Sequence, residues 1–274
     1  MREATYDDDI NVLVRAYKDA ILAISTELAR LDLSDMSRVS AKAALAEVAK
    51  ILTSLNAESA EWVKTYIPKA ATDGVIQAIV ALGVADTVED AAKIAKFNRI
   101  NREFVATAIA DTQADLLAVT QNIDRKVRIA VRQATAESMR ANLAKGVNGR
   151  RTISRDTLTG MRNTLGDAVN TGIIDAAGRR WKPEVYVEMV TRTKMAQTHR
   201  ETTMNEALGR NAYYARISEH SATDDCRLWE GRIIKLTPDA PGDYPYIGNL
   251  PRRQIFHNRC RHVITPVRDP SNAI

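Results

Sequence analysis

The sequence predicts a mainly α-helical chain, an elongated helical body with one long helix, followed by a small C-terminal α+β or β-rich module. Three observations carry this. Alanine recurs through the first two thirds while aromatic residues make up only 5% of the 274 residues, a balance that suits close helix packing better than sheet packing. Apolar residues return at spacings of three and four as far as about residue 209, the period of an amphipathic helix. After Asn211 the texture changes, and Pro and Gly cluster between Pro238 and Pro251, which breaks helices and favours turns.

The elements follow in order. Ile10, Leu13, Val14, Tyr17, Ile21, Ile24 and Leu28 define a first helix from Tyr6 to about Leu31, with Asp7, Asp8 and Asp9 at its front, where negative charge complements the helix dipole. A second helix is expected from Met36 to Leu55. A third runs from Glu58 to Leu82, with Pro68 as a kink or break. Thr87 to Asp90 reads as a cap for a short helix through Lys96. Residues 101–145 hold neither Pro nor Gly, and Val105, Ile109, Leu116, Val119, Ile123, Val127 and Val131 make a near-heptad stripe. One continuous helix is expected there, either the long member of an antiparallel bundle or a strut that bridges partners. Gly146 to Arg151 is a Gly-rich basic break. Ser154 or Asp156 caps a helix to about Thr171, and Pro183 opens another that ends near Gly209. Strands are expected only after about residue 211, at Tyr213–Ser218, Arg232–Leu236 and Arg261–Thr265. The chain therefore divides into a helical body (1–145), a helical connector (146–211) and a Cys/His-containing module (212–274).

Composition and motifs narrow the function. The net charge of +5 permits contact with nucleic acid or another acidic surface. The N-terminal residues are acidic and lack an apolar core, so no signal peptide is expected. The longest apolar stretch, Gly74 to Ala85, is too short to span a bilayer. There is no Gly-x-x-x-x-Gly-Lys-Ser/Thr loop, no His-Glu-x-x-His and no Gly-x-Ser-x-Gly elbow, and no catalytic residue is assigned.

One constellation stands out. His220, His257 and His262 share the last module with Cys226 and Cys260. Thiolate and imidazole are the preferred ligands of zinc, and a small loop-rich module gains stability from a metal clip. Three readings stay open: a structural zinc site, a reduced cysteine pair with hydrogen-bonded histidines, and a Cys226–Cys260 disulfide. A metal-dependent nuclease using His220, His257 and Asp224 or Asp225 is the enzymatic alternative. A second feature is the basic cluster of Arg125, Lys126, Arg128, Arg132, Arg140, Arg150 and Arg151, which suits phosphate or equally an acidic protein. A third is Trp229 with Arg252, Arg253 and Arg259, residue types that anchor protein interfaces.

Three runs also carry a family resemblance. Tyr186 to Thr193 resembles the Tyr-x-x-Met-x-x-Arg-Thr helix of phage minor capsid proteins. His220 to Ile233 resembles that family's next segment, a His-containing loop that leads into a Trp-Gln-Gly-Arg-like strand. His257-Asn258-Arg259-Cys260-Arg261-His262, followed by Pro266, resembles its closing Asn-Cys-Arg-His…Pro element and the His-x-x-Cys-Arg-Cys ending of the Mu F-like head-morphogenesis domain. Two positions depart: Trp229 stands where the family often has a second Cys, and His262 where the Mu F-like ending has its last Cys. The resemblance implies a minor head protein of a tailed phage, present in few copies. Its implied partners are the portal, other capsid or scaffold proteins and double-stranded DNA, with no membrane and no small-molecule substrate. It implies residence in the host cytoplasm during assembly and then in the virion head near the portal vertex. A sequence-nonspecific DNA-binding protein is a further alternative.

Overall fold

The computed structural model describes residues 5–148, 153–170, 173–174 and 178–272. Among them six α-helices and two small antiparallel sheets follow the expected order of a helical body and a β-containing C-terminal region. The chain gathers into two compact units. Unit 1 takes residues 1–10, 62–112 and 189–274; unit 2 takes 11–61 and 113–188.

Helix α1 covers Asp7–Ala29 and buries the expected stripe of Ile10, Leu13, Tyr17, Ile24 and Leu28. Helix α2 covers Arg38–Ala81 without interruption, so the expected boundary between Leu55 and Glu58 does not exist. Asn56 to Ala60 contains no breaker, and the Ser59 hydroxyl donates back to the Leu55 carbonyl at 2.7 Å instead of diverting the backbone into a turn. Pro68 is accommodated inside the helix. Helix α3, Val88–Ile94, is capped by Thr87, whose hydroxyl accepts from the Asp90 amide. Helix α4 spans Arg99–Asn148, about 75 Å at 1.5 Å per residue. It includes the expected 101–145 and runs on past Gly146, so the break does not begin there.

In unit 2 the Tyr17 hydroxyl, fully buried, donates to the Leu116 carbonyl of α4 at 3.3 Å, and the Ser59 hydroxyl of α2 lies 3.4 Å from the Tyr17 oxygen. Helix α5, Arg155–Asn170, carries Arg162, which donates to the Leu28 and Leu31 carbonyls at 3.1 and 2.6 Å. The last turn of α1 has no basic residue of its own, so its exposed carbonyls find their cation on another helix. After α5 a two-residue hairpin pairs β1 (Ile173–Ile174) with β2 (Arg180–Trp181). This corrects the expectation that strands begin only after residue 211. The hairpin's apolar signal is two Ile and one Trp, too short to register as a strand run.

In unit 1 helix α6, Pro183–Gly209, has an unusually polar buried face: Thr191, Thr198, His199, Arg200, Thr202, Thr203 and Glu206. Its threonines bond outward as well as backward. Thr202 donates to the Ala71 carbonyl and Thr203 to that of Gly74, both at 3.0 Å. A Cβ at Gly74 would run into the His199 carbonyl and the Thr202 hydroxyl, so glycine is what lets α2 and α6 approach. An alanine in a helix normally gains about 1 kcal/mol over glycine. Here overpacking of about 1–3 kcal/mol reverses the sign, and Gly74→Ala is expected to lower the urea midpoint. A raised midpoint would show that the helices do not meet there.

The sheet of unit 1 has the order β4-β3-β5, with β3 Tyr214–Ile217, β4 Ile233–Lys235 and β5 Ile264–Val267. Tyr214 pairs with Lys235 on one side and Val267 on the other. The last strand lies about three residues later than expected and contains Pro266, which an edge strand tolerates. Ala215, Ile217, Ile234, Leu236, Ile255 and Ile264 form its core with Leu82 of the α2–α3 turn and Ala207 of α6. Cys226 and Cys260 belong to the same core.

Candidate metal centre and basic groove

Two loops deliver the Cys/His cluster. On the first, Asp224 caps the short 3-10 helix Asp225–Leu228, its carboxylate accepting from the Cys226 amide at 3.0 Å. On the second, the Cys260 amide donates to the His257 carbonyl at 3.0 Å and closes a turn. Phe256 and Arg259 adopt positive φ of 56° and 67°, a costly conformation for residues other than Gly that persists only where surroundings enforce it.

The Cys226 and Cys260 sulfurs stand 3.8 Å apart. A disulfide needs about 2.05 Å, and both cysteines are free and buried. His257 Nε2 lies 3.1 Å from Cys226 Sγ, and His262 Nδ1 lies 3.3 Å from Cys260 Sγ. Ligand atoms of Cys226, Cys260 and His262 all fall within 4.8 Å of one another; so do those of Asp224, Cys226 and His257, and those of His220, Glu230 and His262. Of the five residues singled out from sequence, Cys226, Cys260 and His262 therefore meet as one group, and His257 adjoins it through Cys226 alone. The fifth, His220, stacks on the His262 ring at 3.9 Å between centroids. The nuclease set is split, since His220 and His257 fall in different groups.

Electrostatics keep His262 and Cys226 neutral. Burial, with the stacked His220 adding to it, holds His262 below the ordinary imidazole range. Burial, and then the neighbouring Cys260 sulfur, pushes the Cys226 thiol up, so without a metal it is a protonated, unreactive thiol. Glu230, which the sequence gave no reason to single out, is a hub. Its Oε1 accepts from the His220 and Ala222 amides at 2.9 and 3.0 Å and lies 3.2 Å from His262 Nε2.

Beside the cluster lies a groove of about 600 Å³ lined by Arg200, Arg252, Arg253, Phe256 and His257 among others. Arg252 and Arg253 are exposed, whereas Arg200 is only 5% exposed. Its guanidinium sits over the Phe256 ring, 4.3 Å from the centroid. No carboxylate among the described residues pairs with it at salt-bridge distance. Arg259 is exposed, and its amide donates to the Thr193 hydroxyl at 3.2 Å. Trp229 is half-buried against the module's own core, bonded through its indole N–H to Gln254 and covered by Arg232. Tyr246 and Phe256 pack into that core as well.

The α4 stripe is less uniform than its sequence. Arg125, Arg132 and Arg140 are exposed. Arg128 is committed to Asp124 at 2.7 Å. Burial first, and then the charges of Arg180 and Arg125, hold the Lys126 ammonium below its ordinary range. Arg150 and Arg151 lie outside the described residues. Among the described residues no helix is long and apolar enough to cross a membrane.

The family model described as phage minor capsid protein 2 matches residues 36–268. No match was found among curated proteins or solved structures.

Proposed function

Because the chain belongs to the phage minor capsid protein 2 family, and so to the structural proteins of the virion, we propose that it docks in the portal region of the head through the basic groove of its C-terminal module. The observation that carries this reading is Arg200. A buried guanidinium without a carboxylate partner is costly, and here it lines a groove whose rim adds Arg252 and Arg253. An acidic segment of a neighbouring head protein would supply the missing charge, and the portal is the neighbour that the C-terminal motifs favour. The fit is stereochemical as well, since guanidinium forks bind carboxylates two bonds at a time. Assembly takes place in the host cytoplasm, the finished protein resides near the portal vertex, and no catalytic step is part of this role.

The test is incorporation. Deleting residues 212–274 would strip the core that Leu82 and Ala207 share with the sheet, so point charges are the cleaner probe. With Arg252→Glu and Arg253→Glu combined, copies per head are expected to fall at least tenfold while the purified protein keeps its thermal midpoint. Heads with normal copy number would place docking elsewhere.

The exposed arginines of α4 support a second contact, with packaged DNA. Binding there would be sequence-blind and salt-sensitive. Replacing Arg125, Arg132 and Arg140 by Gln should flatten the slope of log affinity against log salt by up to about 3. An unchanged slope would assign the stripe to a protein partner or to solvent.

A further inference from the structure

We propose that Cys226, Cys260, His262 and His257 form a structural site for a zinc-class divalent cation. The inference stands on the geometry of the cluster and does not depend on where the protein docks.

The distances among Cys226, Cys260 and His262 match three corners of a tetrahedral ion. Zinc–sulfur bonds of about 2.3 Å meeting at the tetrahedral angle put two sulfurs about 3.8 Å apart, and Cys226 and Cys260 stand at 3.8 Å. The corresponding sulfur–nitrogen edge is about 3.6 Å. The two Cys–His contacts, at 3.1 and 3.3 Å, are slightly shorter. Cys226, Cys260 and His262 form a mutually close trio. His257 stands against Cys226 in a separate close trio with Asp224, its Nε2 3.2 Å from the Asp224 carboxylate. It is the candidate for the fourth corner, which it would reach by turning from Asp224 toward Cys260.

The second layer of contacts is what a metal site needs and a mere thiol pair does not. Each histidine presents one ring nitrogen to a sulfur, and the other is engaged by an oxygen. For His262 that oxygen is Glu230 Oε1 at 3.2 Å; for His257 it is the Asn258 carbonyl at 2.8 Å. For His262 such a partner fixes the tautomer and leaves the lone pair of the inner nitrogen for the ion; the inner nitrogen of His257 also lies 3.2 Å from the Asp224 carboxylate. Glu230 is itself fixed by two backbone amides, so the orientation is built in. The positive-φ residues Phe256, just before the His257–Cys260 turn, and Arg259, within it, show backbone held in an unfavourable form where the ligands project.

The chemistry selects the ion. Two thiolates and two imidazoles favour zinc over magnesium or calcium, which prefer oxygen. Binding expels the two thiol protons to solvent and leaves a site of zero net charge, suited to burial. No corner remains for water, so the role is structural. The ion would tie the 3-10 turn at Cys226 to the His257–Cys260 turn, in a region whose strands are only three or four residues long.

The experiment uses the full chain purified without chelator. Metal analysis by plasma mass spectrometry should find about one zinc per chain. Replacement by cobalt(II) should give the thiolate charge-transfer and tetrahedral d–d bands of a mixed sulfur–nitrogen site. Cys226→Ser, Cys260→Ser and His262→Asn should each lose the stoichiometric metal. A strong chelator should lower the thermal midpoint of the wild type by several degrees and leave that of Cys226→Ser unmoved. Because the cobalt spectrum is read on the wild type, misfolded variants do not obscure the answer. A metal-free wild type that gives no thiolate band with cobalt, whether its cysteines titrate as free thiols or prove to be disulfide-linked, would overturn the proposal.

Discussion

Arg200→Met is expected to yield a protein that is more stable in isolation and no longer docks. Burial, partly offset by the Glu201 charge and reinforced by that of Arg252, holds the Arg200 guanidinium down to about 10 from its ordinary 12.5. That difference corresponds to about 3 kcal/mol against folding with the charge in place. The contact with Phe256 returns about 1–2 kcal/mol. Methionine has the length to fill the same space and the polarisability to sit against the ring, and it carries no charge to desolvate. The free chain should therefore gain about 1–2 kcal/mol, read as a raised urea midpoint, while copies per head fall at least tenfold. The opposite pair of results, a destabilised protein that is incorporated normally, would make Arg200 a structural residue and remove the main support for the groove as docking surface. Most residues that stabilise a fold and serve its function give one signal on substitution; this one should give two of opposite sign.

Acid should weaken the fold through His199. Burial first, and then the adjacent Arg200 charge, pushes this imidazole down to about 4 from its ordinary 6.5. Its ring packs near Tyr6, 6.4 Å between centroids. Between pH 4 and 6.5 the unfolded chain binds a proton at this position and the folded chain does not, so stability rises with pH across that window. The contribution is complete above about pH 6.5 and is lost progressively as the pH falls toward 4, a swing of about 3 kcal/mol. His199→Gln, which cannot charge, should show a correspondingly flatter profile of unfolding free energy against pH. The carboxylates titrate in both proteins and cancel in the difference. Parallel profiles would mean that His199 is not desolvated.

What the sequence disclosed and what it withheld follow from the range of the interactions. The long helix α4 was legible because its stripe repeats over many turns and nothing interrupts it. The fusion of two expected helices into α2 was not. Asn56 to Ala60 is weakly patterned, and what continues the helix there is packing of Leu52, Leu55, Trp62 and Val63 into buried positions. The soft ligands could be named because Cys and His are rare in this chain and crowd into one module. Glu230 could not, because one carboxylate among many acquires its role only when two loops fold over it. Arg200 was hidden for a related reason. On a helix an arginine is ordinarily solvated, and only the packing of α6 inside unit 1 buries it.

The division of the chain into two units has a consequence for how the protein is made. Unit 1 is assembled from residues 1–10, 62–112 and 189–274, so its early stretches emerge from the ribosome long before the strands and the helix that cover them. Gly74 waits for Thr202, and Leu82 waits for Ile217 and Ile264. Contacts of such high sequence separation slow folding, and apolar surface left uncovered in the interval invites aggregation. Neither unit is a continuous stretch, so neither can be produced by simple truncation of the gene. Refolding from denaturant should accordingly be slow in the signals of unit 1, and soluble yield should respond to chaperones and temperature more than the helical content alone would suggest.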